Sequence, residues 1–234
     1  MRLLWRSIGT LCCIAGGVPA AIGSNYVAAL SDFSQDLEGW QGAFYERSDV
    51  EGQTLGDYYL RKPVGILSDD RGNKVIARNT GSDWTGDFVA RGIVELQLDF
   101  NNWSDSDPVY LRLGLSNVTN PQISTGTWWV SDTPVYFAPL SGWGSASFTI
   151  SESAMHRVGD LSGGIGTDTF AATLADIKGF RIFSSTLGYS AIGDEFYGVV
   201  GMDNIQLIGI PEPRAYTLAL GIVCGLVVLH RRRP

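Results

Sequence analysis

The chain has 234 residues, of which 44% are hydrophobic and 18% are charged, and this composition fits one globular domain. Residues 24–210 include 11 basic and 23 acidic residues, so their net charge is −12, which disfavours binding to nucleic acid or anionic lipid. The three cysteines are Cys12, Cys13 and Cys224, near the two ends, so the middle can have neither a disulfide framework nor a thiolate metal site.

Residues 1–23 have the layout of a secretory signal peptide. Two arginines lie in the basic start, an apolar stretch follows from about Ser7 to Val18, and small residues come next. Cleavage after Ala21 or Gly23 fits this pattern. The alternative is a retained N-terminal anchor, which the short apolar stretch disfavours. We therefore expect the middle of the chain to be exported across the inner membrane.

Residues 24–209 alternate between apolar and polar side chains with a period of two, which is typical of half-buried strands. In residues 92–100, one face holds Val94, Leu96, Leu98 and Phe100, and the other holds Ile93, Glu95, Gln97 and Asp99. Further strands are predicted at 42–48, 57–64, 74–79, 108–116, 127–132, 135–140, 145–151, 178–185 and 202–209. Turn-forming sequences separate several of these segments, and only residues 169–177 favour a helical turn or two. The sequence therefore predicts an all-β fold, an antiparallel β-sandwich of the jelly-roll type, over residues 24–209.

Four segments of this domain also carry a family resemblance. Residues 33–41 and 201–209 are spaced like the first and last strands of secreted jelly-roll modules, and residues 82–100 and 170–185 resemble parts of laminin domain IV-like sandwiches and of bacterial PEP-CTERM surface proteins. More loosely, the domain is similar to galactose-binding-like jelly-roll carbohydrate modules. The resemblance implies a binding or adhesive role more than catalysis, although fold alone does not determine function.

Catalytic motifs are sparse in the domain. His156 is its one histidine, and no Gly-x-Ser-x-Gly or His-Glu-x-x-His sequence is present. We therefore predict no catalytic residues and no enzyme activity. A secreted glycoside hydrolase stays open as an alternative, because two of the many carboxylates could lie close together in a cleft.

Two kinds of binding site are predicted. Tryptophans at turns or in the Trp-Trp pair could stack on a sugar ring, with nearby polar groups binding its hydroxyls. The candidates are Trp84, Trp103, Trp128, Trp129 and Trp143. The resemblance to jelly-roll modules also implies a possible structural Ca²⁺ at Asp32 and Asp203, since this ion prefers oxygen ligands. No other cofactor is expected.

The last segment, residues 210–234, combines three features. Pro211-Glu212-Pro213 comes first, an apolar stretch at 215–230 follows, and Arg231, Arg232 and Arg233 close the segment. The uncharged part, residues 215–229, would form a helix only ~23 Å long. A hydrocarbon core is about 30 Å thick, so this is a marginal single transmembrane helix, whose arginines would stay cytoplasmic.

These three features in this order resemble the PEP-CTERM sorting signal of Gram-negative bacteria. The resemblance implies that an exosortase recognises Pro211, Glu212 and Pro213, that the tail is cleaved, and that the domain reaches the cell surface or extracellular matrix. An ordinary single-span anchor is the alternative. We thus expect an exported, non-enzymatic surface or matrix protein, first membrane-anchored and then processed. The alternative is a carbohydrate-binding module for exopolysaccharide or for plant or algal glycan.

Overall fold

A computed structural model describes residues 24–42, 45–64, 73–119, 126–158, 166–188 and 190–211. These residues form thirteen strands and one short helix. In chain order, the elements are β1 (Tyr26–Ser31), β2 (Trp40–Gln41), β3 (Glu46–Ser48), β4 (Tyr59–Val64), β5 (Ile76–Asn79), β6 (Ile93–Asn102), β7 (Val109–Ser116), β8 (Trp128–Ser131), β9 (Val135–Phe137), β10 (Gly142–Thr149), β11 (Met155–Val158), α1 (Phe170–Leu174), β12 (Gly179–Ser184) and β13 (Gly198–Gly209).

Both predicted targeting segments fall outside this description. The signal peptide at 1–23 and the sorting tail from residue 212 onward, with its helix at 215–230, are not among the described residues. Within the described ranges, no helix is long and apolar enough to cross a bilayer. The signal peptide, the anchor and the sorting motif therefore stay predictions.

The first sheet is antiparallel and follows the order β10–β6–β13–β4–β3. Its central strand, β13, pairs with β6 along one edge. Along the other edge, β4 pairs with Gly198–Met202 and β1 pairs with Ile205–Gly209. The register of β13 against β6 shifts just after Asp203, where Asn204 has a φ of 48°. This bulge breaks the simple alternation of side chains on the sheet.

The second sheet is also antiparallel and follows the order β11–β8–β7–β12–β5–β2, with β9 pairing to β7. Residues from both sheets, such as Leu98 and Phe100 of β6 and Leu113 of β7, belong to one buried cluster. The two sheets therefore pack over a common core. The all-β antiparallel sandwich predicted from the period-two pattern is confirmed.

The one described helix lies within the segment predicted to be helical. Thr169 caps it, because its hydroxyl accepts a hydrogen bond from the backbone amide of Ala172 at 3.2 Å. Phe170 and Leu174 are buried on one side of the helix, and the Phe170 ring packs against Trp129 with centroids 5.1 Å apart. The helix thus adds to the core beside the second sheet.

The outward face of the second sheet is covered. Trp128, Val130 and Phe183 belong to a second buried cluster together with Val158 and Ala191. The buried guanidinium of Arg112 lies on this face too, and it donates hydrogen bonds to the backbone carbonyls of Ser131, Asp132, Ser185 and Thr186. These contacts attach the neighbouring loops to the sheet, so the described part of this face is covered.

Candidate functional site

The outward face of the first sheet, by contrast, carries polar side chains. On β6 the residues Leu96, Leu98 and Phe100 enter the core, so the alternate residues point outward. These outward residues are Glu95, Gln97, Asp99 and Asn101. Their cross-strand partners on β10 are Thr149, Ser147, Ser145 and Trp143, and on β13 the partners of Gln97, Asp99 and Asn101 are Gln206, Asp203 and Gly201.

A depression of about 350 Å³ lies on this face and crosses β10, β6 and β13. We call it the polar groove. Its polar lining residues are Gln97, Asp99, Ser145, Ser147, Asn204 and Gln206. Amides, hydroxyls and a carboxylate together can both donate and accept hydrogen bonds. Such a lining suits a ligand that presents many hydroxyl groups.

Three aromatic rings lie beside the groove on the same sheet face. The centroids of Trp103 and Trp143 are 5.6 Å apart, and those of Tyr59 lie 5.5 Å from Trp103 and 5.2 Å from Trp143. We call Tyr59, Trp103 and Trp143 the aromatic corner. Tyr59 is buried within it, whereas the two tryptophans are half-buried and keep part of each indole open to solvent.

Gly201 explains how the two indoles reach the sheet. A Cβ atom at Gly201 would lie only 2.7 Å from Trp103 Cζ3 and 2.9 Å from Trp143 Cη2. The missing side chain therefore lets both rings lie directly on the β13 backbone. Gly201 is the cross-strand neighbour of Asn101, and Asn101 is the neighbour of Trp143, so all three strands of the groove meet at this corner.

The loop between β3 and β4 lies against the same face. The indole nitrogen of Trp143 donates to the carbonyl of Glu51 at 3.1 Å, and the hydroxyl of Tyr59 donates to the carbonyl of Val50 at 2.5 Å. Further along the loop, Gln53 Nε2 donates to Asp99 Oδ2 at 2.9 Å. The loop is thus attached both to the aromatic corner and to the acidic side of the polar groove.

Two carboxyl groups face each other across β6 and β13. Asp99 and Asp203 are cross-strand partners, and the amides of Gln53 and Asn204 each lie within 3.5 Å of an oxygen on both. Burial alone would raise the pKa of Asp99, but hydrogen bonds from Gln53, Ser145 and Asn204 outweigh it and hold the pKa below its ordinary value. The Asp99 carboxylate is therefore negatively charged at neutral pH.

Asp203 has the opposite shift. Its side chain is only 1% exposed, and burial raises its pKa to about 7, against a hydrogen bond from the Asn204 backbone amide that favours the charged form. The negative charges of Asp57 and Asp99 add to the rise. Near neutral pH, Asp99 is therefore ionised, whereas Asp203 is partly protonated.

The structure brings together two of the five tryptophans predicted as glycan-binding residues, Trp103 and Trp143. The other three are in the interior, with exposures of 3% for Trp84, 0% for Trp128 and 8% for Trp129. Trp84 packs on Trp40 with centroids 5.0 Å apart, although it follows a turn. The adjacent Trp128 and Trp129 do point to opposite faces, but each enters a buried cluster. These three residues cannot present a ring face to a ligand, which corrects that part of the prediction.

The two predicted calcium ligands have different surroundings. Asp32 is exposed, and its Oδ1 accepts a hydrogen bond from the Ser34 amide at 2.9 Å within its own turn. Asp203 instead lies against Asp99, Gln53 and Asn204. Ca²⁺ takes six to eight oxygen ligands, and the described residues contain no group of three or more acidic, histidine or cysteine side chains placed to hold a metal. Asp32 and Asp203 do not by themselves make such a site, and calcium binding stays a prediction.

His156 lies away from the polar groove, on β11 of the second sheet. Its Nδ1 contacts the carboxylate of Asp132, and its Nε2 lies 2.8 Å from the carbonyl oxygen of Gly188. Both ring nitrogens thus have partners that fasten β11 to neighbouring loops. His156 therefore has a structural role in the described fold.

Several groove residues were not singled out from the sequence. The alternation of residues 92–100 did place Gln97 and Asp99 on one polar face, and that was the available signal. No sequence signal pointed to Tyr59, Gln53 or Gln206, because their neighbours in the site are distant in sequence. Only strand order brings them to one surface.

No family model matches this chain, and no curated protein matches it. Among solved structures, it is similar to a family 11 carbohydrate-binding module from Clostridium thermocellum in complex with a β-1,3-1,4-mixed-linked tetrasaccharide. That likeness has a TM-score of 0.46 and 18% identity, and it covers 82% of this chain and 99% of the other.

Two further structures are similar to a comparable extent. The CBM22-1 xylan-binding domain of Paenibacillus barcinonensis Xyn10C gives a TM-score of 0.48 and 10% identity, covering 81% of this chain and 97% of the other. The CBM27-1 module of Caldicellulosiruptor saccharolyticus, in complex with mannohexaose, gives 0.38 and 12%, covering 79% and 97%. At these TM-scores and identities, the similarities identify neither a family nor a ligand for this chain.

Proposed function

We propose that this protein is a non-enzymatic glycan-binding protein whose site is the polar groove together with the aromatic corner. One observation carries the proposal: the half-buried indoles of Trp103 and Trp143 lie on the same sheet face as a groove lined by amides, hydroxyls and a carboxylate. Ligand sites typically combine aromatic surface with a few placed polar groups. A sugar ring offers matching chemistry, with an apolar face for an indole and hydroxyls for the polar groups.

The burial and the pKa shifts of Asp99 and Asp203 favour a binding role over hydrolysis. A glycosidase needs a general acid that reaches the glycosidic oxygen. Asp203 has the raised pKa that such an acid needs, but its side chain is almost fully buried beneath Gln53 and Asn204. Asp99, the more accessible member, is half-buried, has a lowered pKa and would not hold a proton at neutral pH. This division leaves the accessible carboxylate as a hydrogen-bond acceptor for sugar hydroxyls.

A change at the aromatic corner tests the proposal. The full-length protein, purified in a neutral detergent, would be screened against a polysaccharide and oligosaccharide array, and the best ligand titrated by calorimetry. Trp143→Ala should weaken binding about tenfold or more, because a central aromatic residue in an interface contributes about 2 kcal/mol.

The matched control is Tyr136→Ala, which removes an exposed aromatic ring from β9 on the second sheet. This variant should bind as the unchanged protein does. If the array contains no ligand, or if both variants bind equally well, the glycan proposal is wrong.

We further propose that the protein acts at the cell surface or in an extracellular matrix. Support for this comes from the sequence of the two ends: the signal peptide at 1–23, and the Pro211–Pro213 motif with its apolar run and terminal arginines. In this proposal an exosortase processes the tail. A glycan-binding domain delivered there could hold exopolysaccharide or a plant or algal glycan.

A further inference from the structure

We propose that the polar groove selects glycans that carry free, protonated amino groups, such as chains of glucosamine, over neutral and uronate-bearing chains. This inference rests on the proposed function and specifies the ligand class of the same site. Three observations support it: the charge of the groove, the hydrogen-bond acceptors next to the aromatic corner, and the position of the two indoles beside the groove.

Among the described residues that line the groove, Asp99 brings a negative charge and no residue brings a positive one. Asp99 lines the groove, Glu95 continues the same outward row on β6, and Asp203 lies across from Asp99. None of the groove-lining residues is Lys or Arg. Arg61 on β4 is the cross-strand neighbour of Gly201, but its guanidinium contacts the carboxylate of Glu46 instead. Within the described residues, the salt bridges involve neither Asp99 nor its neighbours Glu95 and Asp203.

Around Asp99, the groove lining offers hydrogen-bond acceptors but no positively charged donor. Asp99 accepts hydrogen bonds from Ser145 at 2.8 Å, Gln53 at 2.9 Å and Asn204 at 3.1 Å, all of them neutral groups. These bonds orient the carboxylate but leave its charge in place. A protonated amine would supply both a positive charge and three N–H donors, and charge-assisted hydrogen bonds are stronger than neutral ones.

Asn101 adds an independent observation. It is the next outward residue after Asp99 on β6, it lies between Trp143 and Gly201, and it is only 3% exposed. Its Oδ1 has no hydrogen-bond partner among the described residues. A buried acceptor without a donor is unfavourable unless something supplies one.

The indoles fit the same ligand. The face of a tryptophan ring attracts a cation through its quadrupole, and it also covers the apolar face of a sugar. A hexosamine chain presents both features within one residue. A polyuronate, by contrast, would bring carboxylates next to Asp99 and Glu95, where like charges repel one another.

The experiment compares four oligosaccharides of equal length on the full-length protein at pH 6, where a primary amine is protonated. They are a β-1,4-glucosamine oligomer, its fully N-acetylated form, the corresponding glucose oligomer and an oligogalacturonate. We expect the glucosamine oligomer to bind at least about tenfold more tightly than either neutral chain. This advantage should shrink as the salt concentration rises, and the oligogalacturonate should not bind.

Variants separate specific binding from general attraction to an acidic protein. Asp99→Asn should weaken binding of the glucosamine oligomer far more than binding of the neutral chains, and so remove most of the glucosamine advantage. Glu95→Gln serves the same purpose if Asp99→Asn fails to fold. Asp176→Asn, which removes an exposed charge beside Lys178 outside the groove, should change nothing. Retention of glucosamine binding by Trp143→Ala would show attraction to the whole surface and overturn the proposal.

The outcomes distinguish this inference from the proposed function. Equal binding of the amine-bearing and neutral chains would overturn amine selectivity but leave the glycan site in place. Preferential binding of the oligogalacturonate would overturn the charge argument. Failure of all four chains, together with failure of the wider array, would overturn both.

Discussion

Asp203 is the residue with the most distinctive electrostatic environment among those that surround the polar groove. Burial raises its pKa to about 7, and Asp99 on β6 and Asp57 in the β3–β4 loop add negative charge nearby. The unfolded chain would release this proton near pH 4. Folding therefore takes up a proton between these two pH values, and stability in that window must fall as the pH rises.

This linkage predicts the behaviour of Asp203→Asn, which keeps an oxygen to accept the Asn204 amide but cannot ionise. The stability contribution of wild-type Asp203 is fully present below about pH 4 and is lost as the pH rises through about 7. The variant should therefore gain stability relative to wild type by up to about 1.4 kcal/mol per pH unit across this window. Urea unfolding at several pH values between 5 and 7.5 measures the difference.

Other titrating groups are common to both proteins, so their effects cancel in the comparison; this includes Glu38, whose pKa burial raises. Asp99 has a lowered pKa, so its effect falls at more acidic pH. Burial lowers the pKa of Lys62 to about 8, which places the effect of that residue at higher pH. Parallel stability curves for the two proteins between pH 5 and 7.5 would show that Asp203 ionises normally in the folded state.

The tryptophans show what sequence can and cannot predict at the residue scale. Trp84 and Trp143 both follow glycine- and serine-containing turns, so local sequence gives them the same interpretation. Trp84 is buried because it meets Trp40 and Phe180, whose rings lie 5.0 Å and 5.3 Å away. Trp143 stays only half-buried because it lies on Gly201 at the outer surface. The two tryptophans differ in burial because of the residues that each ring contacts, and these residues are distant in sequence.

At the scale of elements, the β3–β4 loop is held beside the site by hydrogen bonds that involve side chains. It is attached by hydrogen bonds from Trp143 to Glu51, from Tyr59 to Val50 and from Gln53 to Asp99. The tip of the loop at Leu55 is fully exposed. The bond between Gln53 and Asp99 has a charged acceptor, and such hydrogen bonds contribute about 1.5–3 kcal/mol. We infer that this bond holds the loop in place beside the groove.

Removing the amide tests that inference. In Gln53→Ala, backbone amides of the loop should exchange with solvent about tenfold faster or more, because 1.4 kcal/mol corresponds to a factor of ten. Glycan affinity should fall as well, since the loop would have to become ordered again on binding. Hydrogen exchange followed by mass spectrometry, together with calorimetry, would measure both effects.

Leu55→Ala in the same loop is the control, and its exchange should match wild type. If Gln53→Ala and Leu55→Ala exchange alike, Gln53 does not hold the loop. The period-two pattern predicted most of the strands around this loop, since alternation is a local property. It could not predict the loop's position, because the partners of Gln53 on β6 and β13 are far away along the chain.

For the whole molecule, the two outward faces of the sandwich differ. The second sheet is closed by the Trp128 cluster and by Arg112 bonded to four backbone carbonyls, whereas the first sheet keeps the polar groove and the aromatic corner open. Sequence periodicity predicted two-faced strands but could not say which face meets solvent, since both sheets contain tryptophans and charged residues. The asymmetry arises from strand order and loop packing.

The end of the described fold also bears on how the protein is delivered. The amide of Ile210 donates to the carbonyl of Gly92 at 2.9 Å, directly before Pro211. Strand β13 thus ends one residue before this last backbone bond, and the Pro211–Pro213 motif follows. Removal of everything after the motif would take away none of the described sheet pairing. The sandwich and its groove should therefore tolerate processing there.

We accordingly predict that protein from the cell-surface fraction of the native organism has its C-terminus between residues 211 and 213, as intact-mass spectrometry would show. Glu212→Ala should block processing and leave the chain in the membrane fraction, because the motif would no longer be recognised. Ser34→Ala, an exposed change in the domain, should be processed normally. Surface protein that retains Arg231, Arg232 and Arg233 would mean that the tail is a permanent anchor, with the groove displayed at the membrane and not released from it.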